Sequence, residues 1–266
     1  MEPKIRIGTS GYSYSWNKAK PDAFEWYIGQ GFNSVEINYS FYRFPQVTSI
    51  KLWRAKAPKD FTFSIKVHRS VTHYNRLKKP RSIQLWDEFL KNFEPLENKI
   101  DFWLFQMPAN FKFKPENLER VKSFFNSESI MHQIISRKKA VIEFRDSSWW
   151  NEQALEEIEK AGIVFCSVDA PSVPNEIITT SDAIYLRLHG TKTWYNYLCP
   201  EERLNEIVSD MLGKQAQKKA IYLNNDHGML ENGLFLMKSF FTKTKRFLIT
   251  CPAPIRRIQF RLKEPR

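Results

Sequence analysis

Glu143 and Arg145 stand two residues apart in Val141-Ile142-Glu143-Phe144-Arg145-Asp146, a stretch that begins apolar and ends charged. On a strand, alternate side chains share a face, so Val141, Glu143 and Arg145 point one way and Ile142 and Phe144 the other. A carboxylate beside a guanidinium can hold an anion next to a group that gives or takes a proton. An ordinary sheet face does not turn from apolar to ionic partway along. The C-terminal end of a barrel strand, opening into a polar site, does.

The same pattern recurs along the chain. Thr62, Ser64, Lys66 and His68 share one face, as do Tyr185, Arg187 and His189. Glu36 and Asn38 oppose Val35 and Ile37, and Ser167 and Asp169 oppose Val164, Cys166 and Val168. The expectation is that the apolar faces pack on helices while the polar faces fill a barrel, their last members at its mouth. This marks Glu36, Glu143, Asp169 and His189 as candidate catalytic acids and bases. Asn38, Lys66, His68, Gln106, Arg145, Arg187 and Asn225 are candidate ligand-binding residues, with Asp226 beside them. The plainer alternative is an internal salt-bridge network that merely closes the barrel. Burying many charges costs desolvation that apolar filling avoids, which weighs against that alternative for the set as a whole.

Shorter motifs add to the candidates. Gly8-Thr9-Ser10-Gly11 is a small-residue turn whose amides can receive a phosphate oxygen, although the spacing and lysine of a Walker loop are missing. Ser10 therefore joins the candidates, and Tyr12, followed by Tyr14 and Trp16, supplies rings for stacking on a base or sugar. The segment from His68 to Arg81 interleaves basic and aromatic residues, as a surface that binds a nucleic-acid backbone does, and contributes His73 and Arg76. An exposed solvated loop is the competing reading. Two histidines five apart define no metal site. Glu36, Glu143, Asp169, His189 and Asp226 leave a divalent metal open, but Lys66, Arg145 and Arg187 would crowd it with positive charge. No cofactor is expected. No GxSxG elbow supports a serine nucleophile, and Cys166, on the apolar face of its strand, is expected to be structural.

The elements that must position these residues are legible as alternation. Strand-like runs fall at 5–10, 34–39, 62–68, 101–107, 140–145, 164–169, 183–189 and 220–225. Helical patterns lie between them at 21–31, 47–57, 82–93, 115–125, 151–161, 201–212 and 230–241. Pro115 suits a first helical turn and Gly162 a C-terminal cap. Eight strands alternating with helices predict an α/β fold, a single (β/α)8 TIM-type barrel with room for irregularity. The 266 residues are close to the roughly 250 such a barrel needs. No linker or repeat divides the chain, so one domain over 1–266 is expected, with a short C-terminal extension after Phe247 carrying Pro252, Pro254, Arg256 and Arg257.

Composition narrows the partners. With 41 Lys and Arg against 29 Asp and Glu, the net charge is +12. That balance favours an anionic or phosphorylated ligand and leaves nucleic acid open. A solvated basic surface is the bland alternative. No run approaches the ~18 apolar residues of a membrane span, and no signal-type stretch opens the sequence. Cys166, Cys199 and Cys251 lie far apart and form no CxxC pair. The expectation is a cytoplasmic protein without a membrane partner. Nothing in the sequence specifies its oligomeric state.

Read together, Ile7-Gly8-Thr9-Ser10-Gly11, Val35-Glu36-Ile37-Asn38 with Phe41-Tyr42-Arg43-Phe44-Pro45, and Phe63-Ser64-Ile65-Lys66-Val67 form one pattern. It continues through Thr72-His73 with Arg76-Leu77, Leu104-Phe105-Gln106-Met107-Pro108, Glu143-Phe144-Arg145 with Ser148-Trp149, Arg187-Leu188-His189-Gly190 and Asn224-Asn225. In that order these motifs resemble the YecE-like family, also called domain of unknown function 72, over residues 5–241. The resemblance implies a TIM-type barrel similar to the xylose isomerase and endonuclease IV superfamily, and it adds Trp149 to the candidate ligand-binding residues. The chain departs from an endonuclease IV site in lacking that enzyme's many histidine and carboxylate zinc ligands, and Tyr12 stands where many relatives carry Trp. A link to nucleic acid by this route is fold analogy. The expected function is acid–base chemistry on an anionic or phosphorylated small molecule, of hydrolase or isomerase type. Nucleic-acid binding or a nuclease-like activity is the alternative, and a binding module without catalysis is a third.

Overall fold

A computed structural model of the protein describes residues 3–19, 21–135 and 139–250. Eight strands run parallel: β1 (Lys4–Thr9), β2 (Ser34–Ile37), β3 (Thr62–Lys66), β4 (Ile100–Gln106), β5 (Ala140–Glu143), β6 (Val164–Asp169), β7 (Ala183–Leu188) and β8 (Lys218–Leu223). Their order is β1-β8-β7-β6-β5-β4-β3-β2, which brings β1 and β2 together at the seam of a nearly closed barrel. The helices are α1 (Ala23–Gly29), α2 (Val47–Lys56), α3 (Arg81–Lys91), α4 (Pro115–Phe125), the single turn α5 (Glu128–Ile130), α6 (Glu152–Lys160), α7 (Glu201–Gly213) and α8 (Met229–Thr250). The TIM-type fold expected from the alternation of strands and helices is the fold observed. The sequence beyond Thr250, which includes most of the expected extension, lies outside the described residues.

Local sequence explains these elements. Along α3, Ser82, Leu85, Trp86 and Phe89 recur at three- and four-residue intervals and are all buried against the barrel. Pro115 occupies the first turn of α4, where its missing N–H costs nothing. Asn151 caps α6 by accepting from the Ala154 amide at 2.9 Å, and Gly162 ends it with φ of 67°. The helix that began as a pattern at 230 runs on to Thr250.

Two apolar layers result. Residues such as Phe63, Ile65, Phe105, Ile142, Ile184 and Ile221 face outward and pack on the helices. Phe102, Leu104, Val141, Cys166, Tyr185 and Tyr222 fill the lower barrel. The upper barrel is polar, with Glu36, Lys66, Gln106, Glu143 and Arg187 buried there.

Side chains bridge the β1–β2 seam. Tyr27 Oη accepts from the Thr9 amide at 2.9 Å and donates to the Ser34 carbonyl at 2.8 Å. The Asn33 amide group accepts from Ile7 N and donates to Ile5 O, each at 2.9 Å. Gly8 lies so close to the Ser34 carbonyl that no Cβ would fit there.

One strand turns the opposite way from the expectation. Cys166 and Val168 of β6 face the barrel interior, while Ser167 and Asp169 face outward. The cause is the connection from β6 to β7. Residues 170–182 contain no helix, and this irregular segment covers β6 with its own polar groups. Thr180 Oγ1 accepts from Phe165 N at 2.9 Å, and Ser167 Oγ accepts from Ile178 N at 2.8 Å. A strand covered by a loop needs polar groups on its outer face, because the loop amides have no other partners there.

Candidate functional site

At the C-terminal end of the barrel, Arg187 on β7 is the hub. Its Nη2 donates to Glu36 Oε1 at 2.7 Å and its Nη1 to Glu143 Oε2 at 2.6 Å, with all three side chains fully buried. Strand parity causes the convergence. Glu36, Glu143 and Arg187 each sit on the inward face of a strand near its C-terminal end. Glu36 is completed by Ser10 Oγ at 2.9 Å and by the Tyr185 hydroxyl, which donates to Oε2 at 2.6 Å. Ser64 Oγ lies 2.6 Å from the same hydroxyl. Glu36 is thereby supplied with donors on both oxygens and sits at the floor of the site.

Glu143 is equally buried and stands nearer Arg145 and His189. Gln106 Nε2 donates to its Oε1 at 3.0 Å, and Arg145 Nε pairs with the same oxygen. Burial alone would raise this carboxyl, but the guanidiniums of Arg145 and Arg187, aided by His189, hold it well below the usual carboxylate range. His189 lies above, its Nε2 3.7 Å from Glu143 Oε1 and 3.4 Å from Arg145 Nη2. The Asn224 amide is 3.1 Å from Nδ1 and fixes the ring. Burial, then the charges of Arg145 and Arg187, lower the His189 pKa well below its ordinary value, so the ring is neutral at pH 7.

The segment after β7 roofs this arrangement. Trp194 lies under the Arg145 guanidinium at 4.6 Å and 5.1 Å from the His189 ring. Arg145 Nη1 donates to the Tyr195 hydroxyl at 3.2 Å. Across the mouth stands Lys66, 8% exposed, its Nζ 4.2 Å above the Phe41 ring. Burial, reinforced by the Arg187 charge, lowers the Lys66 pKa to about 7. His73 joins this side, bonded through Nδ1 to Thr72 Oγ1 at 3.0 Å. Burial and the neighbouring Lys66 and Arg145 charges lower its pKa to about 4, and Arg76 acts on it too. Arg76 itself has φ of 47°, a left-handed backbone that a side chain adopts only when its surroundings enforce it.

The remaining candidates lie elsewhere or play other parts. Asp169 accepts from Arg203 Nε of α7 at 3.0 Å and from Thr191 Oγ1 at 2.8 Å, outside the barrel wall. Tyr12 packs on Phe24 and Tyr27 and accepts from Trp53 Nε1 at 2.8 Å, in the helix layer. Trp149 stacks on Phe144 at 3.7 Å and donates to the Phe111 carbonyl, again on the helix side. His68 turns toward Ser70 and Phe44. Asn38 Nδ2 is 3.4 Å from the Ser10 carbonyl, at the edge of the mouth. Asn225 bonds Tyr197 O and Asn232 Oδ1, so it anchors the loop after β7 and does not face the site. Its neighbour Asn224 takes the inward place, as the parity of Ala220 and Tyr222 implies. Tyr185 carried the same signal, two residues before Arg187. Trp194 and Tyr195 belong to an irregular loop for which strand parity gives no signal.

The five residues considered for a divalent metal do not assemble, since Asp169 faces α7 and Arg187 occupies Glu36 and Glu143. Among the described residues no group of three or more His, Cys, Asp or Glu side chains is placed to hold a metal ion. Among them, too, no helix is long and apolar enough to cross a membrane.

Fold and site define a TIM barrel whose C-terminal mouth is built from carboxylates and guanidiniums on strand ends. The chain belongs to the family described as "Protein of unknown function DUF72", whose model matches residues 6–246. It is similar to the UPF0759 protein YunF of Bacillus subtilis, 25% identical over 228 residues that cover 74% of this chain and 78% of that one. The UPF0759 protein YecE of Escherichia coli is 30% identical over 124 residues, 46% of this chain and 44% of its own. Among solved structures, a DUF72 family protein of Thermotoga maritima superposes with a TM-score of 0.75 at 29% identity, covering 88% of this chain and 98% of that one.

Proposed function

We infer that the barrel mouth binds a small anionic molecule, of which a phosphorylated metabolite is the leading class, and acts on it by proton transfer. The observation that carries this reading is the charge balance around Arg187. The two buried carboxylates, Glu36 and Glu143, are matched by the two guanidiniums of Arg187 and Arg145. Arg76 and the protonated fraction of Lys66 add positive charge on the Lys66 side of the mouth, while Asp226 stands on the Tyr14 side. Arg145 spends three N–H groups on Glu143, Tyr195 and His189 and keeps others for an incoming oxyanion. Arg187, with both η nitrogens committed to carboxylates, supports a positioning role. Neutral His189, beside Glu143 and oriented by Asn224, is the group best placed to exchange a proton with the ligand.

Titration calorimetry with inorganic phosphate and a panel of sugar phosphates, each beside its unphosphorylated counterpart, tests this. Phosphorylated compounds should bind selectively and Arg145→Ala should abolish the selectivity. Equal binding of both members of each pair would overturn it.

A second reading, nucleic-acid binding, draws on the rim. Arg69 lies over Tyr42 at 5.7 Å and over Tyr74 at 5.4 Å, and both tyrosines are exposed. Such an Arg–aromatic stack can hold a single-stranded base. Binding of a fluorescent oligonucleotide that falls steeply with salt and is lost in Tyr74→Ala would favour it over the metabolite reading.

A further inference from the structure

Lys66 enters the reading above only through its charge, and neither the ion-pair network nor the proton transfer employs its amine. It ends β3, the place in a barrel where reacting side chains meet a ligand. Its ammonium has no hydrogen-bond acceptor and no ion-pair partner among the described residues and sits over the face of Phe41. A lysine held for charge alone would sit against a carboxylate, as Lys218 does against Asp101 at 2.6 Å. Here the two nearby carboxylates are taken by Arg187 and Arg145, so the amine is left free beside a site that accepts an anion.

We propose that Lys66 is a nucleophilic amine that forms a Schiff base with an anionic aldehyde or ketone bound in the barrel mouth. This rests on the anion-binding reading and names its substrate class, a carbonyl compound carrying a phosphate or carboxylate. In the step, Nζ of the neutral amine attacks the carbonyl carbon and the C–N bond forms as the C=O π pair moves to oxygen. Both amine hydrogens then leave with that oxygen as water, giving the C=N bond, so that no oxidant or reductant is required. Arg145 and Arg76 would hold the anionic end while the imine, once protonated, draws electrons from the adjacent carbon. The chemistry that follows is proton abstraction or carbon–carbon cleavage next to the former carbonyl.

A pKa of about 7 supports the geometry. Near pH 7 about half the Lys66 amines are unprotonated, against roughly one in 2,500 for an ordinary lysine. The lower nucleophilicity of the weaker base offsets part of this, leaving an advantage of about tenfold or more.

The test is reductive trapping on the full chain. Glycolaldehyde phosphate or glycolaldehyde is added at pH 7 with sodium cyanoborohydride, and labelled lysines are mapped by peptide mass spectrometry. The expected result is that the phosphorylated aldehyde labels Lys66 about tenfold or more faster than exposed lysines, with a midpoint near pH 7 in the pH profile. Lys66→Met removes that label, and Arg145→Ala slows it for the phosphorylated probe alone. Because the pH profile is measured on the unaltered protein, a variant that fails to fold does not spoil the test. Calorimetric binding of glycolaldehyde phosphate without enrichment of label at Lys66 would overturn the amine and leave the anion site standing. Fast labelling of Lys66 by both aldehydes alike would support the amine and overturn the anion site. Labelling of all lysines at one rate, with a midpoint above pH 9, would overturn the proposal.

Discussion

Arg187 Nη1 lies 2.6 Å from Glu143 Oε2, and neither side chain is exposed to solvent. The same guanidinium reaches Glu36 with its other η nitrogen, so one cation holds two carboxylates in place. Removing it leaves buried Glu36 without a cation and Glu143 with Arg145 alone. Arg187→Met should therefore cost about 3–5 kcal/mol of stability, read as a lower midpoint in urea unfolding. A change under about 1 kcal/mol would mean that water or the neighbouring hydroxyls already satisfy Glu36 and Glu143.

The seam between β1 and β2 makes a second prediction. Tyr27→Phe deletes the hydroxyl that serves both Thr9 N and Ser34 O, and leaves two buried backbone groups unpaired. The expected loss is about 1–3 kcal/mol. Amide hydrogen exchange should speed up at Thr9 more than at β5 or β6.

Lys66 links stability to alkaline pH. Its folded pKa of about 7 lies below the ordinary lysine value, so between about pH 7 and pH 10 the unfolded chain binds more protons at this site than the folded one. Stability contributed by this residue therefore rises as pH rises through that window. Denaturant midpoints at pH 7 and pH 9 should show the rise in the parent protein, and Lys66→Met should remove that component. An unchanged slope in the variant would show that Lys66 titrates as an ordinary surface lysine.

The roof over His189 predicts kinetics. Trp194 contacts both Arg145 and His189 and comes from an irregular loop tied down by Asn225 at Tyr197. Trp194→Ala should leave the fold intact and raise the dissociation rate of a bound phosphorylated ligand about tenfold, measured by stopped flow. An unchanged rate would assign that loop no part in retention.

The barrel was legible because short strand-like runs, each with one apolar face, alternate with helical patterns along the chain. The inward faces of β2, β3, β5 and β7 followed from the polar residues near their ends. The rule failed at β6, where polarity marks the face under an irregular loop and apolarity the barrel interior. Tyr12 and Trp149 are aromatic residues near strand ends, and sequence alone does not separate a ring at the mouth from one among helices; packing on Phe24 and Phe144 decides. Asn224 and Asn225 are adjacent, and only the strand register says which faces inward.

The central claim, an anion site at the mouth bounded by Arg145, Arg76 and Lys66, is tested most directly by a crystal structure of the protein soaked in tungstate at low ionic strength. Anomalous density is expected within hydrogen-bond reach of Arg145, above Glu143 and His189, and should disappear in Arg145→Ala. Tungstate bound only along the outer basic loop around Arg69, with the mouth empty in the parent protein, would contradict it.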